Sequence, residues 1–299
     1  MTDNQLNSMN NFLSKFEKIL GILKQFETKS NFLNQIRQPR LSDIELLAVD
    51  LTAESLGIDS EHQLFRELPV AISSKIERSV YNRRRRKLFF VKERIRKALS
   101  EKLIGSENYF IVDSMPLEVC KLSRSSRAKI CKEDCLTSPS KGYCASQKMN
   151  FYGYRLHAVC SSSGVFCDFE LTAAAVHDIH YLKNIKHNFS SCVLLGDKAY
   201  LSADYQLDLF TSNNIRLEVP MRVNQRNYKK QPYLLRKTRK RIETLFSQLC
   251  DQFMIRRNYA KSFDGYRTRI LSKITSVTVI QMINKLLNRN INNLKTLVV

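Results

Sequence analysis

The sequence predicts an α/β protein in two parts, an all-helical module over residues 1–104 and a mixed β-sheet with helices on its faces over residues 105–299. Three observations carry that expectation. Apolar residues recur at helical spacing through the first third of the chain, where glycine is scarce. From Tyr109 onward, short β-rich runs replace that pattern. Three of those runs come first, and helices and strands then alternate, an order that builds a mixed sheet covered by helices.

The elements follow in turn. Within NFLSKFEKILGILKQF, the residues Phe12, Phe16, Ile19, Leu20, Leu23 and Phe26 fall on one helical face. Ser42 is placed to cap a second helix, with Glu45 three residues on to complete a capping box and Gly57 to stop it. A third helical segment covers 64–103 and is broken by Pro69. Strands are expected at YFIVD, YGYRLHAVC and VFCDFEL, the last two joined by a hairpin turn at Ser161–Gly164. A helix (DIHYLKNI), a strand (CVLLGD), a helix (ADYQLDLFTSN), a strand (IRLEVP) and a long helix over 233–253 come next. This order, β-β-β-α-β-α-β-α, is that of a ribonuclease-H-like fold. Residues 121–149, rich in Ser, Cys and Lys, read as a basic surface insertion between the first two strands.

Composition narrows the function. An apolar fraction of 43% suffices for a buried core, and Lys plus Arg outnumber Asp plus Glu by 49 to 28. A net charge of +21 calls for a polyanionic partner, and nucleic acid fits because phosphate contacts release counterions. No apolar run reaches membrane-spanning length and the polar start is no signal peptide, so a cytosolic or nuclear protein without a membrane partner is expected. Eight cysteines could suggest disulfides or, at Cys131 and Cys135, zinc. The usual Cys-x-x-Cys pairs are absent, however, and small buried or loop thiols are the better reading. His157, His177 and His180 lack the spacing of a ligand set and read as surface or satisfied histidines. Phe151, Tyr152 and Tyr154 read as core residues of a strand rather than as a base-stacking platform.

Three carboxylates stand out. Asp113 ends the run Phe110-Ile111-Val112 and Asp197 ends Val193-Leu194-Leu195-Gly196. An acid at the exit of a buried strand is costly unless it is paired or holds a cation, although a turn residue or helix cap is the plain alternative. Gly196 would allow a close approach or an unusual backbone angle. Glu243 borders the apolar stripe of the long helix, where an ion pair with Arg239 or Lys240 is the ordinary alternative. In the expected fold, strands one and four are neighbours and this helix packs across them, so the three acids would converge. Converging carboxylates need compensating positive charge, and two magnesium or manganese ions would supply it. Such a site performs in-line phosphoryl transfer.

The motifs IVDSMP (111–116), GYCASQKMNFYGYRLHAV (142–159), FELTAAAVHD (169–178), LLGDKAY (194–200) and RIETLFSQL (241–249) resemble those of DDE transposases of the insertion-sequence 982 family, in order and over essentially the full length. Met115 stands where that family leads one to expect Phe, an apolar change that leaves the chemistry untouched. The resemblance implies a ribonuclease-H-like catalytic domain, magnesium dependence and recognition of terminal inverted repeats in double-stranded DNA. It also implies a homodimeric synapse in the bacterial cytoplasm, at the nucleoid. Asp113, Asp197 and Glu243 fall on the family's catalytic triad. A related nuclease or integrase, and a non-catalytic basic DNA binder, are the alternatives.

Basic segments supply candidate DNA contacts. Nine basic residues and no acid lie between Glu218 and Glu243, among them Arg226, Arg236, Arg239, Lys240 and Arg241. Placed just before the candidate glutamate, the run reads as a phosphate track rather than a merely solvated face. Lys198 follows Asp197, and Arg124 and Arg127 lie in the insertion. Arg83, Arg84, Arg85, Arg86 and Lys87 form a cluster in the helical module, read as phosphate contacts of a helix-turn-helix-like unit. Five consecutive charges encircle a helix, so some must face protein or DNA.

Overall fold

A computed structural model describes residues 3–225 and 228–295, and the chain divides into two units, residues 1–103 with 248–299 and residues 104–247. The division differs from the one the sequence suggested, because the C-terminal residues group with the N-terminal helices. The physical reason lies in the last helix. Its polar side chains find their partners on those helices.

The helical unit contains α1 (Asp3–Phe26), α2 (Asp43–Ser55), α3 (Glu61–Glu67), α4 (Val70–Ser73), α5 (Arg78–Lys87), α6 (Phe89–Ile104) and the last helix, Phe263–Leu286. Phe12, Phe16, Ile19 and Leu23 of α1 are buried as their spacing predicted. The Ser42–Glu45 capping box is formed: the Ser42 amide donates to Glu45 Oε2 at 2.8 Å and the Ser42 hydroxyl accepts from the Glu45 amide. Gly57, at φ +69°, takes the left-handed conformation past the end of α2. Pro69 ends the preceding segment and caps α4. The last helix is buried on nearly every face, so its polar groups need partners. Ser272 donates to Asp50 at 2.7 Å, Lys273 pairs with Glu54, and Arg269 Nε reaches Glu54 at 3.2 Å. Asp50 also pairs with Lys92 and, at 3.2 Å, with Arg85, and these cations hold its carboxyl well below the usual range despite burial.

The second unit is built on β1 (Tyr109–Cys120), β2 (Ser140–Cys144), β3 (Met149–Ser161), β4 (Phe166–Ala173), β5 (Cys192–Leu195) and β6 (Ile215–Glu218), with α7 (Leu182–Ile185), α8 (Ala203–Asn213) and most of α9 (Tyr233–Asp251). The last helix of the chain is therefore α10. β3 is the hub of a six-stranded mixed sheet. It pairs antiparallel with β1 on one edge and with β4 and β2 on the other. β1 then pairs parallel with β5, and β5 with β6, so strands one and four of the expected order are neighbours. The insertion does not stay on the surface throughout. It contributes β2 to the sheet, buries Cys131, and lets Tyr154 donate to the Thr137 carbonyl at 2.7 Å. A glycine is required at position 153, where an added Cβ would meet the Leu117 carbonyl oxygen of β1 at 2.1 Å.

Alternation along the strands assigns the two faces. Phe110 and Val112 pack with Val159, Leu182, Leu194, Leu209 and Leu217 in one core. Ile111 and Asp113 point to the opposite face. There Arg239 of α9 lies close enough to act on the Asp113 carboxyl. Ile242, Leu245 and Phe246 are the buried stripe of α9 in this unit, and the Phe246 ring lies 6.5 Å from Phe166 of β4.

Candidate active site

Asp113 enters from β1 and Asp197 from the end of β5, and the parallel pairing of those strands brings the two acids to one place. Asp113 Oδ1 accepts from the Ser114 amide at 2.8 Å. Its carboxyl is pushed up to about 7, first by burial, then by the negative charges of Asp197 and Asp178, against the lowering effects of the Ser114 amide and Arg239. Asp197 caps the turn that follows β5, accepting from the Ala199 amide at 2.8 Å through Oδ1. The plain reading of Asp197 as a cap is thus correct for one of its oxygens. Gly196 does not adopt a left-handed angle. It is packed instead, because a Cβ there would sit 3.2 Å from Tyr200 and 3.3 Å from Val219.

Glu243 is exposed on α9, one turn beyond Arg239 and on the same side. Among the described residues, no three His, Cys, Asp or Glu side chains gather closely enough to hold a metal ion. The expected convergence of three carboxylates is therefore present for two.

Asp178, which the sequence reading passed over, is the second acid, after Asp197, whose charge reaches Asp113. It accepts from the Ser114 hydroxyl at 2.7 Å and from Arg155 Nη1 at 3.3 Å, and it lies 3.6 Å from His157 Nδ1. His157 is fully buried, its Nε2 is 2.8 Å from Thr172 Oγ1, and its ring stacks on Tyr181 at 5.2 Å. Burial, together with Arg155 and against Asp178, lowers its pKa to about 4, so the imidazole is neutral at pH 7. The Tyr200 hydroxyl, buried without a hydrogen-bond partner among the described residues, sits in the field of Asp178, Asp113 and Asp197. The signal available in the sequence was His177-Asp178, at the end of a motif already noted.

The donor chemistry of this centre suits a divalent cation. Asp113 and Asp197 offer hard carboxylate oxygens, and a doubly charged ion would offset both the burial that keeps Asp113 protonated and its repulsion from Asp197.

The candidate phosphate contacts fall into two groups. Arg124, Arg127, Lys198, Arg236 and Lys240 are exposed, while Arg239 and Arg241 are half-buried. Arg226 lies outside the described residues. Within the helical cluster, Arg83 and Lys87 are exposed and Arg86 is half-buried. Arg84 and Arg85 are not available to DNA. Arg84 Nη2 pairs with buried Asp43 at 2.5 Å, and Arg85 is 4% exposed and held by Asp50. They are the two charges of the cluster that the helix turns toward protein.

Two acids, one within β1 and one just past β5, thus meet on adjacent parallel strands of an α/β scaffold, beside an arginine. The profile of the transposase DDE domain matches residues 105–279, and the chain belongs to that family. A transposase implies DNA as a partner, and enzymes of this family use divalent metals. No curated relative matches the chain. No helix among the described residues is long and apolar enough to cross a membrane.

Proposed function

We propose that the chain is the transposase of a bacterial insertion sequence of the 982 type, with a ribonuclease-H-like catalytic part. In this reading it binds the element's terminal inverted repeats, cuts DNA strands there and joins the freed ends to a target. The observation that carries it is the meeting of Asp113 and Asp197 at neighbouring parallel strands, within the stretch that matches the transposase domain. Asp113 and Asp197 would hold magnesium ions, two per site, for which manganese would substitute; Glu243, exposed on α9 and apart from them here, would have to join them when metal and DNA are bound. Paired cations, when bound, supply activation of the attacking oxygen and neutralisation of the leaving one.

The chain's own residues supply the rest. Asp113 must release a proton to become a ligand, and its environment holds that proton up to about pH 7. Arg239 is close enough to balance the acids and to meet a scissile phosphate. The Ser114–Asp178–Arg155 contacts fix the backbone next to Asp113. Arg124, Arg127, Lys198, Arg236, Lys240 and Arg241 would track the phosphates near the site, and Arg83, Arg86 and Lys87 would do so on the helical unit. A homodimer would bring two element ends together.

The test is incubation with DNA carrying the flanking element ends and magnesium, scored at nucleotide resolution. The expected products are nicks exposing 3′-hydroxyls and strands joined to target. Asp113→Ala, Asp197→Ala and Glu243→Ala should each abolish cutting while binding persists. Cutting by all three variants would remove the site assignment, and nicks never followed by joining would restrict the activity to a nuclease.

A further inference from the structure

A cavity of about 660 Å³ lies entirely within the helical unit, among the start of α3, one face of α5 and the segment entering α10. Five of its lining side chains are basic and two are acidic. The acids are already engaged. Glu61 accepts from Asn82 at 2.5 Å and lies 3.4 Å from Arg85, while Asp59 lies 3.7 Å from Arg257. Arg85 and Arg269 are spent on buried acids. Three cations remain. Arg78 and Lys261 are exposed and make no ion pair among the described residues, and Arg86 gives only its Nε, to the Asn82 carbonyl at 3.3 Å. Beside them stands Tyr259, 62% exposed on the same wall.

From this juxtaposition we propose that the cavity is a binding site for one unpaired nucleotide of a DNA strand, with its phosphate on Arg78, Arg86 and Lys261 and its base on the Tyr259 ring. The proposal rests on the reading that DNA is the partner, and it adds which form of DNA the helical unit takes. Uncompensated cations in a recess select an anion. An exposed ring beside them selects an anion attached to a flat π-system, because base–aromatic stacking is favourable and tolerant of sequence. The volume lies within the range that small-molecule-sized groups fill. A duplex keeps its bases stacked inside, so only a nucleotide outside the stack can present base and phosphate together. Such nucleotides occur at frayed or cut element ends. On α5 the cavity uses the face that carries Arg78, Asn82, Arg85 and Arg86, and Arg84 lies outside it.

The test measures binding of the full chain to a mixed-sequence duplex with and without a short single-stranded overhang, across a salt series, in chelator so that no strand is cut. Tyr259→Ala should weaken binding of the overhang probe by about 5- to 150-fold and leave the blunt duplex unchanged, and Tyr259→Phe should restore it. Arg78→Ala and Lys261→Ala should each lower the salt slope on the overhang probe by about one. Undiminished overhang binding by all these variants would overturn the proposal. So would an equal loss on both probes in Tyr259→Ala, or competition by a free mononucleotide as strong as that by the overhang strand. Cutting is assayed separately, so a failed catalytic reading would appear there and leave this result standing.

Discussion

Replacing Asp113 by Asn should make the metal-free protein more stable at alkaline pH. In the folded chain the carboxyl keeps its proton up to about pH 7, against an ordinary value of 3.8, because burial and the charges of Asp197 and Asp178 outweigh the Ser114 amide and Arg239. Between those two values the folded state binds more protons than the unfolded one, so stability falls as pH rises through that window. At ~1.4 kcal/mol per pH unit the loss amounts to about 4 kcal/mol once the group is fully ionised. Asn has the same shape and no charge, so Asp113→Asn escapes that loss. For a unit of this size, 1 kcal/mol moves Tm by about 2–4 °C, so the variant should melt roughly 8–16 °C above wild type at pH 8 in chelator. At pH 5 only the lower part of that window has been crossed, so the gap should shrink to about 2 kcal/mol, roughly 4–8 °C. Magnesium should close the gap at pH 8 by stabilising wild type alone. Equal melting temperatures at pH 8 without metal would refute the idea that Asp113 sits in an acidic, desolvated centre.

Other outcomes follow from the same contacts. Arg85→Ala leaves Asp50 short of a buried partner and should cost about 3–5 kcal/mol, whereas Lys87→Ala should stay within about 0.5 kcal/mol; urea titrations read both. Gly153→Ala forces a methyl group into the Leu117 carbonyl and should destabilise the β1–β3 pairing by about 1–3 kcal/mol or more, seen as faster amide exchange in those strands. Asp178→Asn loosens Ser114 beside Asp113 and should reduce strand cutting about 10- to 100-fold with DNA binding retained, whereas unchanged cutting would make Asp178 a purely structural acid.

Much of this arrangement was legible in the sequence where local rules dominate. The Ser42–Glu45 box, the stop at Gly57 and the break at Pro69 depend on neighbours within a few residues and appear as expected. The strand order makes the strands carrying Asp113 and Asp197 adjacent, but the apolar run ending at Asp113 marked no strand end: β1 continues to Cys120, because residues 114–118 and Cys120 pair with β3. The charge cluster at 83–87 was readable only as a cluster. Which of its members meet protein depends on Asp43 and Asp50, more than thirty residues away. Residues 248–299 misled for a similar reason. Lys273 and Arg269 look like solvated charges until Glu54 is seen opposite them. Asp178 escaped because its importance comes from Ser114, Arg155 and His157, which β3 and β1 assemble only after pairing. Glu243 was correctly placed on its helix and side, yet its exposure follows from how α9 packs, which periodicity alone does not give.

Manganese binding, followed by its paramagnetic resonance signal in the presence of element-end DNA, tests the central claim most directly. Wild type should sequester two ions per chain, with Asp113→Asn and Asp197→Asn each losing tight binding while still holding DNA. Manganese bound equally by wild type and both variants would mean that these two aspartates do not form the metal centre.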